Sequence, residues 1–220
     1  LQPRTAVGNP YGDGYYDDFN TAVGLDSAGR TQLHHKGKLV IGVENTPTVI
    51  FDLMQFLVID LGGVVGQIGM GQHGTAFAHA GMRMGPAICY EGLYGDFYGD
   101  FVRRGAQFMA IISNDGWWGD TPGYKHLFTI SRLRAIEHRR AIARSANTGM
   151  SGFISARGDI GETLGWEKRG VISAAVPLNS ELTFYTRYGD YLERIAEYLT
   201  LLCVLYYIAC RVKRENYLVK

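Results

Sequence analysis

The stretch Pro86-Ala87-Ile88-Cys89-Tyr90-Glu91-Gly92 decides the fold. Small and apolar residues run straight into a cysteine, and an acid and a glycine follow at once. The pattern predicts a buried strand ending in a turn, with a helix opening near Gly95-Asp96-Phe97-Tyr98-Gly99-Asp100-Phe101. Cys89 then stands at a strand's carboxyl end, beside the amides that open the next helix. Such donors favour a thiolate and can cradle an oxyanion.

Working outward, Phe108-Met109-Ala110-Ile111-Ile112 is a continuous apolar run, predicted to be a strand buried on both faces. It ends in the polar and aromatic loop Ser113-Asn114-Asp115-Gly116-Trp117-Trp118-Gly119, at the end of a strand where α/β proteins build sites. Thr121-Pro122 supplies an N-cap and a first-turn proline for a second helix. Its expected inward residues are Leu127, Ile130, Leu133, Ala135 and Ile136. Arg132, Arg134, His138, Arg139 and Arg140 are placed outside, with Glu137 paired along the helix. Further strands are expected at Ile142 to Ser145, Gly152 to Ala156 and Val171 to Val176, with a turn at Arg157 to Gly161. Upstream, Thr21 to Leu25 and Thr31 to His35 read as a hairpin around Asp26-Ser27-Ala28-Gly29-Arg30. Alternating strands and helices define a layered α/β domain, assigned to residues 1–190.

Composition narrows the function. The 220 residues are 46% hydrophobic and 20% charged with a net charge of +1, which provides a full core but no basic field to attract nucleic acid. Three cysteines without a CxxC pair suggest neither a disulfide framework nor zinc, and no cofactor is expected. Cys203 and Cys210 read as small hydrophobes on one helix face. Thr48 to Val65 is strongly apolar, as in an ordinary core helix. Gly62-Gly63 near its end and Gly66, Gly69, Gly71 and Gly74 beyond it fit better a mobile arm that covers a site or touches lipid. The chain starts at Leu1 with a Gly/Pro/Tyr/Asp-rich lead-in, as a piece of something longer would.

These stretches, taken together, resemble the nitrilase superfamily and, within it, the apolipoprotein N-acyltransferases. The motifs are His34-His35-Lys36-Gly37-Lys38-Leu39-Val40 with Glu44, Ile88-Cys89-Tyr90-Glu91, and Ser113 to Gly119. His126, Arg132-Leu133-Arg134-Ala135 with Glu137, Arg144 to Gly149, and Thr183-Phe184-Tyr185-Thr186-Arg187-Tyr188-Gly189-Asp190 complete them. The resemblance implies a four-layer αββα sandwich with a Glu-Lys-Cys triad. It places Cys89 on the nucleophile, Lys36 on the lysine and Glu44 on a further active-site acid. Tyr90, Glu91, Asn114 and Trp118 are the candidate oxyanion and substrate-binding residues. Departures are His34, where the family commonly has an aromatic residue, Ile41-Gly42-Val43, where it has Pro-Phe-Gly, and the absence of any glutamate before Glu44.

The implied reaction moves a phospholipid acyl chain, through a cysteine thioester, to the amino group of a diacylglyceryl-modified apolipoprotein. The alternatives are a nitrilase-type amidase and an inactive, membrane-tethered fragment that binds lipid or lipoprotein. Tyr198 to Cys210 is an uncharged run of 13 residues, followed by Arg211, Lys213 and Arg214. A span needs about 20 apolar residues, so a helix packed on the domain competes with a span. Tyr191, Tyr198, Tyr206 and Tyr207 near the ends and the basic flank favour a transmembrane helix within residues 191–220, with a cytoplasmic tail. The catalytic domain is then expected outside the bacterial inner membrane.

Overall fold

The computed structural model describes residues 7–8, 15–16, 18–40, 44 and 68–218. The proposed apolar arm at residues 48–65 lies outside them. Strands β1 (Val7–Gly8) and β2 (Tyr15–Tyr16) pair antiparallel. Strands β3 (Thr21–Leu25) and β4 (Thr31–His35) form the expected hairpin, with Thr21 opposite His35 and Leu25 opposite Thr31. Asp26 closes its turn by accepting the amides of Ala28 and Arg30, each at 2.9 Å. The period of two then separates the faces: Ala22 and His34 are buried, while Val23, Leu25 and Leu33 are exposed.

The main sheet contains β5 (Phe77–His79), β6 (Met82–Ile88), β7 (Phe108–Ser113), β8 (Ile142–Ala146), β9 (Ser151–Ile154) and β10 (Ile160–Leu164). Their spatial order is β10-β9-β8-β7-β6-β5, with β6, β7 and β8 mutually parallel and the outer pairs antiparallel. Helix α1 (Gly95–Arg103) connects β6 to β7, and α2 (Pro122–His138) connects β7 to β8. The core lies between one sheet face and these helices. Ala87, Met109, Ile111, Ile142 and Ile154 meet Tyr98, Phe101, Val102, Phe128 and Ala135 there. Each large side chain buried in this layer is worth about 1.5–3 kcal/mol.

Strand β7 departs from the expectation of burial on both faces. Met109 and Ile111 point into the core, but Ile112 is 49% exposed and Phe108 and Ala110 are only partly covered. Among the described residues one layer of helices covers one face, so the alternate residues of β7 remain open to solvent.

Helix α2 begins as expected, Thr121 accepting the Gly123 amide at 3.3 Å. Its faces follow the expectation at Ala135, which is buried, and Arg139, which is exposed, and depart from it at other positions. Tyr124, Phe128, Ser131, Arg134, Ala135 and His138 are buried, whereas Leu133 and Ile136 are 46% and 39% exposed. The polar residues are drawn inward because they have partners. Arg134 Nη1 lies 3.1 Å from Glu137, His138 Nδ1 is 2.9 Å from Thr186 Oγ1, and buried Arg140 donates to the carbonyls of Ala106 and Glu181.

Residues 171–176 form no strand, and Val171 is almost fully exposed. The last strand is instead β10, which starts inside the expected Arg157 to Gly161 turn. Helix α3 (Phe184–Tyr188) is capped by Thr183, and α4 (Tyr191–Leu218) follows. At 28 residues, α4 extends about 42 Å. Apolar side chains from Tyr198 through Ile208 are exposed around it. Among the described residues, however, no helix is long and apolar enough to cross a membrane.

Candidate active site

Strand β6 delivers Cys89 as the first residue of a 3-10 turn, Cys89–Leu93, which leads into α1. The register pairs Ile88 with Ile112, so the turn lies next to the loop that leaves β7. Cys89 adopts φ +47°, the left-handed region that side chains other than glycine enter at a cost of roughly 1–2 kcal/mol. The following residues hold that conformation in place.

The constraint comes from Glu91, which is completely buried. One carboxylate oxygen accepts the Ile88 amide at 2.6 Å, tying the turn back to the strand end. The other accepts the Gly37 amide at 2.6 Å, and His34 Nε2 lies 3.1 Å from both oxygens. Glu91 thus binds the segment after β4 to the turn carrying Cys89. It is an organiser of the site, with its oxygens already occupied. His34, a departure from the family pattern, is its fully buried partner.

Lys36 is 1% exposed and stands immediately before the tied residue Gly37. Its backbone is fixed on both sides: its amide donates to the Asn20 carbonyl at 2.8 Å, and its carbonyl accepts the Gly71 amide at 2.9 Å. Lys36 Nζ donates to both oxygens of Glu44, at 2.9 and 2.7 Å. The Val40 amide and Asn20 Nδ2 donate to the same carboxylate, at 2.8 and 2.9 Å. Burial alone would raise the Glu44 carboxyl. The bonds from Lys36, Val40 and Asn20, with the lysine's charge, outweigh burial and hold it below the ordinary glutamate value. Lys36 and Glu44 therefore form an ionised, oriented pair. Lys38 stands apart from them, its ammonium 5.2 Å from the Tyr94 ring centre and 5.4 Å from that of Phe97.

The remaining candidates are more open. Tyr90 is partly buried, and its ring meets Tyr94 edge-on at 5.5 Å. Asn114 is exposed and uses Oδ1 to accept the Gly116 amide at 3.2 Å. Trp118 is 48% exposed and lies over Gly123, where any larger residue would meet its ring. What fixes this loop was not apparent from the spacing of its residues. Asp115 is fully buried, accepts the Ser113 hydroxyl at 2.6 Å, and accepts Arg144 Nη2 at 3.0 Å on each carboxylate oxygen. Gly149 leaves the room this requires, since a Cβ there would strike the Asp115 carboxylate. Asp115 and Arg144 both fell within the quoted motifs, but a local motif does not reveal a pair 29 residues apart. Among the described residues, no group of His, Cys, Asp and Glu is arranged to hold a metal.

The arrangement combines a strained cysteine at a strand end, adjacent turn amides and a buried lysine fixed by a carboxylate. A nucleophile, oxyanion donors and a fixed cation are among the parts that nucleophilic acyl transfer uses; the arrangement does not include the proton-accepting base that it also uses.

The family model described as carbon-nitrogen hydrolase matches residues 5–182. The apolipoprotein N-acyltransferase of Chlorobaculum tepidum is 36% identical over 181 residues, covering 80% of this chain and 34% of its own length. The protein of the same name from Verminephrobacter eiseniae is 34% identical over 183 residues, covering 79% and 33%. The chain thus spans about a third of the length of these curated relatives. Among solved structures, an amidase from Nesterenkonia sp. superposes with a TM-score of 0.52 at 16% identity, covering 81% of this chain and 60% of that one. That likeness concerns the fold.

Proposed function

Because the chain belongs to the carbon-nitrogen hydrolase family, we propose that it is the catalytic portion of an N-acyltransferase that lipidates apolipoproteins through a Cys89 thioester. The observation that carries this reading is Glu91, whose two carboxylate oxygens tie the Cys89 turn and the Lys36 segment together. In the proposed first half-reaction the Cys89 thiolate attacks an ester carbonyl of a phospholipid. A C–S bond forms, the C–O bond breaks, and the lysophospholipid alkoxide leaves with a proton. In the second, the acceptor's α-amine attacks the thioester, loses a proton, and releases the thiolate as the amide forms. Turn amides at and after Cys89, including that of Tyr90, and the Lys36 ammonium stabilise the oxyanion of each tetrahedral intermediate.

Glu44 serves as the charge partner that positions Lys36. Its four hydrogen bonds disfavour a role as proton acceptor, and Glu91 is occupied in the same way. The base belongs to the glutamate that the resemblance places ahead of the lysine, a position that no glutamate of this sequence fills. The open side of β7 is the surface on which the second sheet of a four-layer sandwich would pack. Asn114 and Trp118 border the substrate path at the loop after β7.

The sequence names of the Chlorobaculum and Verminephrobacter relatives support the lipoprotein acceptor, and the exposed apolar helix α4 supports a lipid-embedded enzyme. In this reading α4 crosses the bacterial inner membrane and the catalytic domain faces away from the cytoplasm. The test is transfer of a labelled acyl chain from phospholipid to a diacylglyceryl-cysteine lipopeptide by the full-length gene product. Label appearing as the lipopeptide amide is expected. Label appearing only as free fatty acid would assign water as the acceptor and make the protein a hydrolase.

A further inference from the structure

The junction between the domain and α4 presents a second apolar surface outside the catalytic cluster. Phe184 is 61% exposed, Tyr188 55% and Tyr191 37%, although aromatic side chains usually lie inside. They stack on one another rather than on the core: Phe184 and Tyr188 have centroids 4.5 Å apart, and Phe184 meets Tyr191 edge-on at 5.1 Å. The surface continues onto α4 through Leu192 and Ile195, which are 63% and 51% exposed. Beside it, a cavity of about 710 Å³ opens between α2 and the start of α4, with Leu133, Ile136 and Phe184 among its walls.

The length of α4 indicates what covers these aromatics. Its 13 uncharged residues, Tyr198 to Cys210, span about 20 Å at 1.5 Å per residue, short of a hydrocarbon core of about 30 Å. Tyr191 lies one and a half to two turns before that run, about 10 Å along the axis. A bilayer centred on the uncharged run therefore places the aromatic cluster at the headgroup level, where tyrosines favour the boundary between lipid and water. Glu193 and Arg194 fall in the same layer, and exposed Arg187 flanks it. The rim thus carries both signs, which suits a zwitterionic surface better than an anionic one.

We propose that Phe184, Tyr188 and Tyr191 form an interfacial seat by which the catalytic domain rests in the headgroup layer of a phospholipid bilayer. This rests on the reading that α4 is embedded in the same bilayer. The seat fixes the domain's height and tilt over the lipid, because α3 is bound to the domain through Thr183, whose hydroxyl donates to the Glu137 carbonyl at 2.6 Å, and through the Thr186–His138 contact.

Depth-dependent fluorescence quenching tests it. The variants Phe184→Trp, Tyr188→Trp and Tyr206→Trp of the full-length protein are reconstituted in phosphatidylcholine vesicles containing lipids brominated either near the carbonyl end or near the chain end. Emission is compared with that of the parent. The Phe184→Trp and Tyr188→Trp variants are expected to lose most of their added emission to the shallow quencher, with little change on adding salt, and the Tyr206→Trp variant to the deep one. Unquenched emission at both seat positions with Tyr206→Trp quenched overturns the seat and leaves the membrane reading standing. Emission unquenched in all three overturns both.

Discussion

Replacing Glu91 by glutamine keeps the shape of the side chain and removes one of two occupied acceptors. The carboxylate accepts the amides of Gly37 and Ile88, each at 2.6 Å, with His34 Nε2 at 3.1 Å from both oxygens. A glutamine can satisfy one amide with its carbonyl but must turn its NH₂ toward the other. A buried donor left unpaired costs about 1–3 kcal/mol, and the surviving contacts lose their charge assistance. The expected destabilisation for Glu91→Gln is therefore about 3 kcal/mol. Glu91→Ala, which strands both amides and the histidine, should approach the 5–15 kcal/mol stability of a typical domain and prevent folding. Equilibrium urea unfolding, followed by circular dichroism on the full-length gene product, measures the first effect. Glu162→Gln on exposed β10 is the control and should shift stability by less than about 0.5 kcal/mol. A Glu91→Gln variant as stable as that control would refute the view that this carboxylate clamps the catalytic turn to the lysine segment.

Other outcomes follow from the same geometry. Lys36→Arg should reduce acyl transfer as severely as Lys36→Ala, by about 10²-fold or more, since a planar guanidinium cannot replace a compact ammonium. Lys38→Ala, which removes only a cation over two rings, should be mild; equal losses at both positions would deny Lys36 its role. Burial foremost, with the charge of Arg134, pushes His138 down to about 3, so this histidine is neutral in the fold. The unfolded chain binds its proton below about 6.5, so stability falls as pH drops from there toward 3, by up to about 5 kcal/mol at 1.36 kcal/mol per unit. Burial also raises the Glu137 carboxyl, which opposes this trend by favouring the fold at lower pH. His138→Gln should flatten the acid limb of a urea-midpoint titration; an unchanged limb would place its origin elsewhere. Topology reporters fused at the two ends of α4 should report opposite compartments, and reports from one compartment would return α4 to the surface of the domain.

The local structure around the candidate residues was readable in the sequence where the signal was local. An apolar run ending in Cys89-Tyr90-Glu91 predicts a strand and a turn because the period changes there, and the hairpin around Asp26 is marked by its own turn residues. Long-range pairing was not readable. His34 looked like a departure from a family pattern until its ring was found against Glu91, 57 residues away. The faces of α2 were misjudged in part: the Arg134–Glu137 pair was legible as a local i,i+3 pair, but the burial of His138 depends on Thr186, 48 residues away. The apolar sequence Val171 to Val176 suggested a strand, but β9 takes β10 as its neighbour and leaves that segment irregular.

The central claim is that Cys89 carries the acyl group. The full-length gene product is incubated with phospholipid in the absence of an acceptor amine, digested, and analysed by mass spectrometry before and after neutral hydroxylamine. One acyl adduct on the Cys89 peptide is expected, removable by hydroxylamine as a thioester and absent from Cys89→Ala. An adduct on Cys203 or Cys210, or one that persists in Cys89→Ala, would contradict the account.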